Sequence, residues 1–204
     1  MAEKPGIAII EDHPIMREGL AAWFAGSGRW LVTGTASSLA GAKELLTQAG
    51  AQTDIVLLDI QLEDGWGLDI IPWYTKLAGL SKRPIMAVYS TFDDYGHVNI
   101  ALGLGVKAYI CKRRGEQELE KALLKALAGG SYIDEAAQTN LQTVTDIFNL
   151  LTRREAEILK LVKKGLSNKQ IAASFGISHR TVENILSCVY DKTGIHSRVE
   201  LQKL

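Results

Sequence analysis

Ile55, Val56, Leu57 and Leu58 form an apolar run with no polar break. It closes on Asp59 and is followed by a turn through Glu63-Asp64-Gly65. A strand with one wet face alternates in polarity, whereas an unbroken run is buried on both faces, as in a parallel sheet. Comparable runs occur at Ile7–Ile10, Ile85–Tyr89 and Ala108–Cys111, and Trp30–Thr35 reads as a further strand. Helical stretches separate them: Pro14 through Trp23 and Phe24, Leu39 to Ala49, Leu68 to Leu80, Asp94 to Leu104, and Leu119 to Leu127, which stops at Gly129-Gly130. Five strands alternating with five helices predict an α/β fold with a doubly wound five-stranded parallel sheet.

The strand ends carry the chemistry. In the 2-1-3-4-5 strand order, ligands collect at the carboxyl ends near the point where the order reverses. Glu11 and Asp12 end the first strand and Asp59 the third, so three carboxylates meet there. Crowded carboxylates repel unless a cation sits among them, and an oxygen-only set with open positions suits Mg²⁺. Ser90 ends the fourth strand with a hydroxyl, and Lys112 the fifth with a point charge for phosphate. Together they form a phosphoryl-transfer kit with Asp59 as nucleophile. Taken singly each residue has a plainer reading: Asp12 as a helix cap, Ser90 as a turn, Lys112 as a solvated charge. Their joint placement favours the functional one.

Charge divides the chain. Residues 1–146 hold 13 basic and 18 acidic side chains, a balance of −5, and residues 147–204 hold 10 and 5, a balance of +5. A basic tail suits an anionic partner. Residues 1–130 are read as the sheet domain, 131–148 as a polar linker with room for some helix, and 149–204 as an all-α domain. In that last part Thr152 and Glu155 have the spacing of a capping box. Gly165 ends a helix, Asn168–Phe175 forms a second, and Ser178 caps a third. Two helices joined by FGIS make a helix-turn-helix. Cys111 and Cys188 fit no zinc or disulfide spacing and are expected as buried thiols. No signal peptide and no apolar run of membrane-spanning length is found, so a cytoplasmic protein without a membrane partner is expected.

Residues 6–128, through IIEDH, LLDIQ, VYST and AYICK, resemble the receiver domain of two-component response regulators. The resemblance implies that Asp59 accepts phosphate from a sensor histidine kinase. It implies that Glu11, Asp12, Asp59 and the backbone carbonyl of Gln61 hold Mg²⁺, that Ser90 turns toward the phosphate, that Tyr109 is the aromatic switch, and that Lys112 is the phosphate-binding lysine. The chain departs from the receiver pattern at Glu63, Thr91 and Arg113, where Pro, a small residue and Pro are usual. A haloacid-dehalogenase type of phosphatase would need an acid at position 61, where Gln stands. A flavin-binding fold would need a hydroxyl-rich loop after the first strand.

Residues 151–201 resemble the LuxR-type DNA-binding domain through LTRREAEIL, KGLSNKQIA, GISHRTVENIL and DKTGIHSR. The order of modules is that of the NarL/FixJ group of transcription regulators. The resemblance implies a homodimer, formed when phosphorylated, that reads double-stranded DNA with its third helix in the major groove. The outward residues His179, Arg180, Thr181, Glu183, Asn184 and Ser187 are candidate DNA contacts, with Val182, Ile185 and Val189 facing the core. Lys169, Arg180, Lys192 and Arg198 are candidates for phosphate. The last helix, near Val199–Leu204, is expected at the dimer contact. No enzyme activity beyond self-dephosphorylation is expected. Phe92, two residues past Ser90, either crowds the water that would hydrolyse an acyl phosphate or packs against the following helix.

Overall fold

The computed structural model, which describes residues 4–77, 83–195 and 197–203, assembles the apolar runs side by side in register. The chain runs β1 (Gly6–Ile10), α1 (Pro14–Gly26), β2 (Leu31–Ala36), α2 (Leu39–Ala49), β3 (Ile55–Leu58), β4 (Gln61–Leu62), β5 (Gly65–Trp66), α3 (Ile70–Thr75), β6 (Ile85–Ser90), α4 (Tyr95–Gly103), β7 (Ala108–Cys111) and α5 (Glu116–Leu127). It continues through β8 (Tyr132–Ile133), α6 (Glu135–Leu150), α7 (Arg153–Lys163), α8 (Asn168–Phe175), α9 (His179–Thr193) and α10 (Arg198–Lys203). Contacts divide it into residues 1–138 and 139–204.

The main sheet is parallel in the order β2-β1-β3-β6-β7-β8. It has six strands where five were expected. The sixth, β8, lies within the stretch read as a linker, and two residues are too few to show a periodic pattern. Ala108 pairs with Tyr132 and Tyr109 with Ile133, extending the sheet beyond β7. The rest of that stretch is helix: α6 is a single run from Glu135 to Leu150, and the chain passes from one unit to the other within it.

Every residue of β1, β3 and β7 is buried, as expected of strands covered on both faces. One face packs Ile7, Ile9, Ile55, Leu57, Ala87 and Ile110 against Leu20 and Phe24 of α1 and Leu119 and Leu123 of α5. Pro14 opens α1, where its missing N–H costs nothing. Helix α3 is shorter than the reading over Leu68 to Leu80: Gly67–Asp69 is a 3₁₀ turn and the α-helix ends at Thr75. Residues 78–80 of that reading lie outside the described residues. The turn after Asp59 is a small antiparallel hairpin, β4–β5, which the sequence did not announce. Asp64 at its tip accepts from the amides of Leu39 at 2.7 Å and Ala40 at 3.1 Å, tying the hairpin to the start of α2. Those amides hold the Asp64 carboxyl below its ordinary value.

In the second unit Ile158, Leu159, Val162, Ile171, Val182, Leu186, Val189 and Leu201 form one core. The capping box at α7 is complete: Thr152 N–H donates to Glu155 Oε2 at 2.6 Å, and the Glu155 amide donates to Thr152 Oγ1. The Arg154 guanidinium lies 3.9 Å over the Phe175 ring, joining α7 to α8. Cys111 is buried, but Cys188 is exposed, because its position on α9 falls on the outward face beside Ser187. Among the described residues no helix is long and apolar enough to cross a membrane.

Glu155 also receives Lys192 Nζ at 2.7 Å, from the far end of α9. The Lys192 bond, with the Thr152 amide next, holds its carboxyl below the ordinary 4.5. A depressed pKa contributes stability that is present above the unfolded value and lost as pH falls through the folded one. Protection factors of the Arg153–Lys163 amides, taken against the intrinsic exchange rate at each pH, are therefore expected to fall on acidification below the ordinary carboxylate range. Glu155→Ala should lower that protection already at neutral pH, at a cost of roughly 1–3 kcal/mol for lost charge-assisted hydrogen bonds.

Candidate functional site

The parallel register brings the strand ends level. Ile10 is opposite Leu58, and Leu58 opposite Val88, so Glu11, Asp59 and the end of β6 emerge side by side. The Asp59 amide donates to the Ile10 carbonyl at 2.9 Å, and the Lys112 amide to the Ser90 carbonyl at 2.8 Å. Four side chains from four strands meet here. Ser90 Oγ donates to Asp59 Oδ1 at 3.0 Å. Lys112 Nζ lies 2.7 Å from Asp59 Oδ2 and 2.7 Å from Glu11 Oε2. Asp59 is 6% exposed and Ser90 fully buried. Asp12 is half-buried beside them, its Oδ1 at 3.1 Å from His13 Nδ1.

The electrostatics follow from burial. Desolvation lifts the Glu11 carboxyl above its ordinary value, more than the Lys112 ammonium lowers it. Burial alone would depress Lys112, but the hydrogen bonds and charges of Asp59 and Glu11 outweigh it and raise its pKa. Three carboxylates against one ammonium leave negative charge for a divalent cation to balance. The metal-capable oxygen and nitrogen atoms of Glu11, Asp12 and His13 lie within 4.8 Å of one another. The oxygen-rich donor set fits Mg²⁺.

Gln61 sends its amide toward Asp59 Oδ1 at 3.5 Å and pairs with Trp66 across the hairpin. Tyr109 is fully buried, and its hydroxyl donates to the Phe92 carbonyl at 2.8 Å. The Phe92 ring stacks on His97 of α4, with centroids 4.2 Å apart and planes 14° apart, so it packs against the following helix, the second of the two expectations for it. Two features were missed from the sequence. Arg17 donates to the carbonyls of Glu11 at 2.9 Å and Asp12 at 3.1 Å, fixing the acidic loop from one turn into α1. Its signal was its standing as the lone basic residue of that helix. The second is a groove of about 740 Å³ leading from His13, Thr91 and Lys112 along Pro14, Ile15 and Trp23. Ile15 is 89% exposed there.

On the second unit α8 ends at Gly176, left-handed at φ 63°, and Ser178 caps α9 by accepting from the Thr181 amide. This is the turn of a helix-turn-helix. His179, Arg180, Glu183, Asn184, Ser187 and Lys169 are all exposed. Val182 and Val189 face the core as expected, but Leu186 is the third buried residue and Ile185 is only half-buried. Five candidates already have a partner within the unit. The Thr181 hydroxyl is 2.8 Å from Ser178 Oγ, within the cap. Lys192 is committed to Glu155. Arg198 donates to Asn168 Oδ1 at 2.7 Å and to the Leu166 carbonyl, a clasp between α10 and the start of α8. Glu183 pairs with His179 at 3.5 Å.

A parallel α/β domain with an acidic pocket at its switch point, followed by a helix-turn-helix, defines a response regulator of transcription. Residues 7–124 match the family model for the response regulator receiver domain, and residues 149–204 that for bacterial regulatory proteins of the luxR family. The chain belongs to this family of two-component transcriptional response regulators. It is 31% identical to the nitrate/nitrite response regulator protein NarL of Escherichia coli strain K12, over 97% of this chain and 93% of that protein. It is 28% identical to the oxygen regulatory protein NreC of Staphylococcus aureus strain JH9, over 96% and 94%. Its fold is shared with RcsB of Salmonella enterica serovar Typhimurium, solved bound to a promoter with a phosphomimetic, at a TM-score of 0.70 and 18% identity over 98% of this chain and 97% of that one.

Gly67 is held so close that a Cβ would fall 1.9 Å from the Asp59 carbonyl oxygen. Its amide also donates to the Ile60 carbonyl at 2.6 Å. Gly67→Ala is therefore expected to displace the backbone at Asp59 and to cost about 1–3 kcal/mol, as overpacking does. Urea unfolding measures the cost, and unchanged stability would contradict the contact.

Proposed function

We propose that Asp59 is the phosphoacceptor and that its modification, with Mg²⁺ in the acidic pocket, controls DNA binding by the helix-turn-helix unit. The observation that carries this is the single carboxylate held at once by a hydroxyl, Ser90, and an ammonium, Lys112. An Asp59 carboxylate oxygen attacks the phosphorus of a phosphohistidine on a sensor kinase. The new bond is O–P, the bond lost is P–N, and the electron pair stays on the imidazole nitrogen. Ser90 Oγ–H and Lys112 Nζ then lie ready to donate to phosphoryl oxygens. Glu11, Asp12, Asp59 and the Gln61 carbonyl are the groups that would hold Mg²⁺, which supplies neutralisation of the phosphoryl charge. The apolar groove beside the pocket, with Ile15 at its rim, suits a helical kinase surface bringing its histidine to Asp59.

The DNA reading rests on the exposed face of α9. Asn184 is placed to pair bidentately with adenine, and Arg180 and Lys169 are free to meet phosphate. Dimeric binding to two half-sites about one helical turn apart follows from the symmetry of such readers. Residues 1–138 are read as the receiver part and 139–204 as the DNA-binding part, with 131–138 joining the receiver through β8.

Asp59→Asn should remove the mass gain of one phosphoryl group on treatment with acetyl phosphate and Mg²⁺, and chelation should do the same to the wild type. A mutant gain at the wild-type level would refute the assignment. In DNA titrations Asn184→Ala should cost roughly 1–3 kcal/mol at one base pair. Arg180→Ala should weaken all sequences alike and lower the salt slope by about 1. Equal loss on every sequence for Asn184→Ala would rule out base reading by that residue.

A further inference from the structure

Lys112 is followed by two arginines, and both reach away from the phosphoacceptor pocket. Arg113 sets one terminal nitrogen on Asp93 Oδ2 at 2.7 Å. Asp93 stands three residues past Ser90, in the loop that enters α4. The other terminal nitrogen of Arg113 lies 3.8 Å from Asp134 Oδ1. Arg114 holds the same Asp134, with Nε at 2.6 Å from Oδ2 and its terminal nitrogen at 3.3 Å from Oδ1. Asp134 is fully buried, and its Oδ1 also accepts from the Ala136 amide at 3.0 Å, in the first turn of α6. The Asp134 amide donates to the Tyr109 carbonyl at 2.8 Å.

The two arginines differ in how firmly they are held. Arg113 is 50% exposed and Asp93 34% exposed, so their bond is screened, adds little to stability and exchanges readily. Arg114 is anchored on a carboxylate with no exposure, and leaving such a charge uncompensated is costly. Asp134 is thus firmly held by Arg114 and lies within a short swing of Arg113. A cation with two carboxylates in reach, one on a loop tied to the pocket and one capping a helix, is a two-position element.

The geometry points to Arg113 as a relay between the phosphoacceptor and α6. It is bonded to Asp93 in the arrangement described here. It passes to Asp134 when the loop from Ser90 to Asp93 is drawn toward a phosphoryl group on Asp59. The pull is transmitted because Ser90 Oγ is bonded to Asp59, and the Ser90 carbonyl to the Lys112 amide one residue before Arg113. A second guanidinium on Asp134 competes with the Ala136 amide for Oδ1, so the first turn of α6 loosens, and α6 is the helix in which the chain passes to the DNA-binding unit. The relay rests on the phosphoacceptor reading of Asp59.

The test is amide hydrogen exchange at Ala136 and Gln138 in the full chain, with and without acetyl phosphate and Mg²⁺, with intact mass read on the same samples. In the wild type, phosphorylation should speed exchange at Ala136 by about fivefold or more, the low end of coupling between sites. Arg113→Ala should still gain the phosphoryl group but show no phosphorylation-dependent change. Asp93→Asn, which leaves Arg113 only Asp134, should show the fast exchange without any phosphodonor. The relay is overturned if Arg113→Ala responds as the wild type does, or if unphosphorylated Asp93→Asn exchanges at the wild-type rate. A wild type that gains the phosphoryl group with no change at Ala136 overturns the relay alone. A wild type that gains none overturns the phosphoacceptor reading and the relay with it.

Discussion

The bridge of Lys112 between Glu11 and Asp59 is the interaction on which the receiver unit turns. Two carboxylates with almost no exposure are tolerable at this spacing only with a cation between them. The ammonium reaches them because β7 lies beside β6, which lies beside β3, in one parallel register. The same bridge leaves the site anionic overall. That surplus is of the sign a divalent cation would balance.

Around that bridge, loops at the sheet's carboxyl edge are pinned by a few specific contacts. Arg17 holds the acidic loop through the Glu11 and Asp12 carbonyls, and Asp64 holds the hairpin through the first amides of α2. Tyr109 holds the loop after Ser90 through the Phe92 carbonyl, while Phe92 stacks on His97 and Trp66 meets the same ring edge-on. Burial pushes the Tyr109 phenol far up, so it stays a hydrogen-bond donor at any working pH.

The second unit is built on different terms. Its helices are amphipathic and short, and its stability comes from one apolar core together with the Thr152–Glu155–Lys192 network and the Arg198 clasp. Lys192 and Arg198, both expected as phosphate contacts, also hold the unit together, through Glu155 and through the start of α8.

The sequence by itself determined the alternation of strands and helices, the strand-end positions of Glu11, Asp12, Asp59, Ser90 and Lys112, the helix caps at Thr152 and Ser178, and the division of charge. These are local or periodic signals, and a parallel sheet with its strand order converts them directly into a site. What only the tertiary structure decided were contacts between residues far apart in the chain. β8 becomes a strand because β7 offers it an edge, and its two residues carry no period of their own. Leu186 lies at the centre of the core and Ile185 at its edge, because α7 and α8 select the buried face of α9. Asp134 is buried under Arg114, reached across 20 residues, and Lys192 meets Glu155 across 37. An exposed-looking charge and a buried ion pair have the same local sequence; only the partner, brought by the fold, separates them.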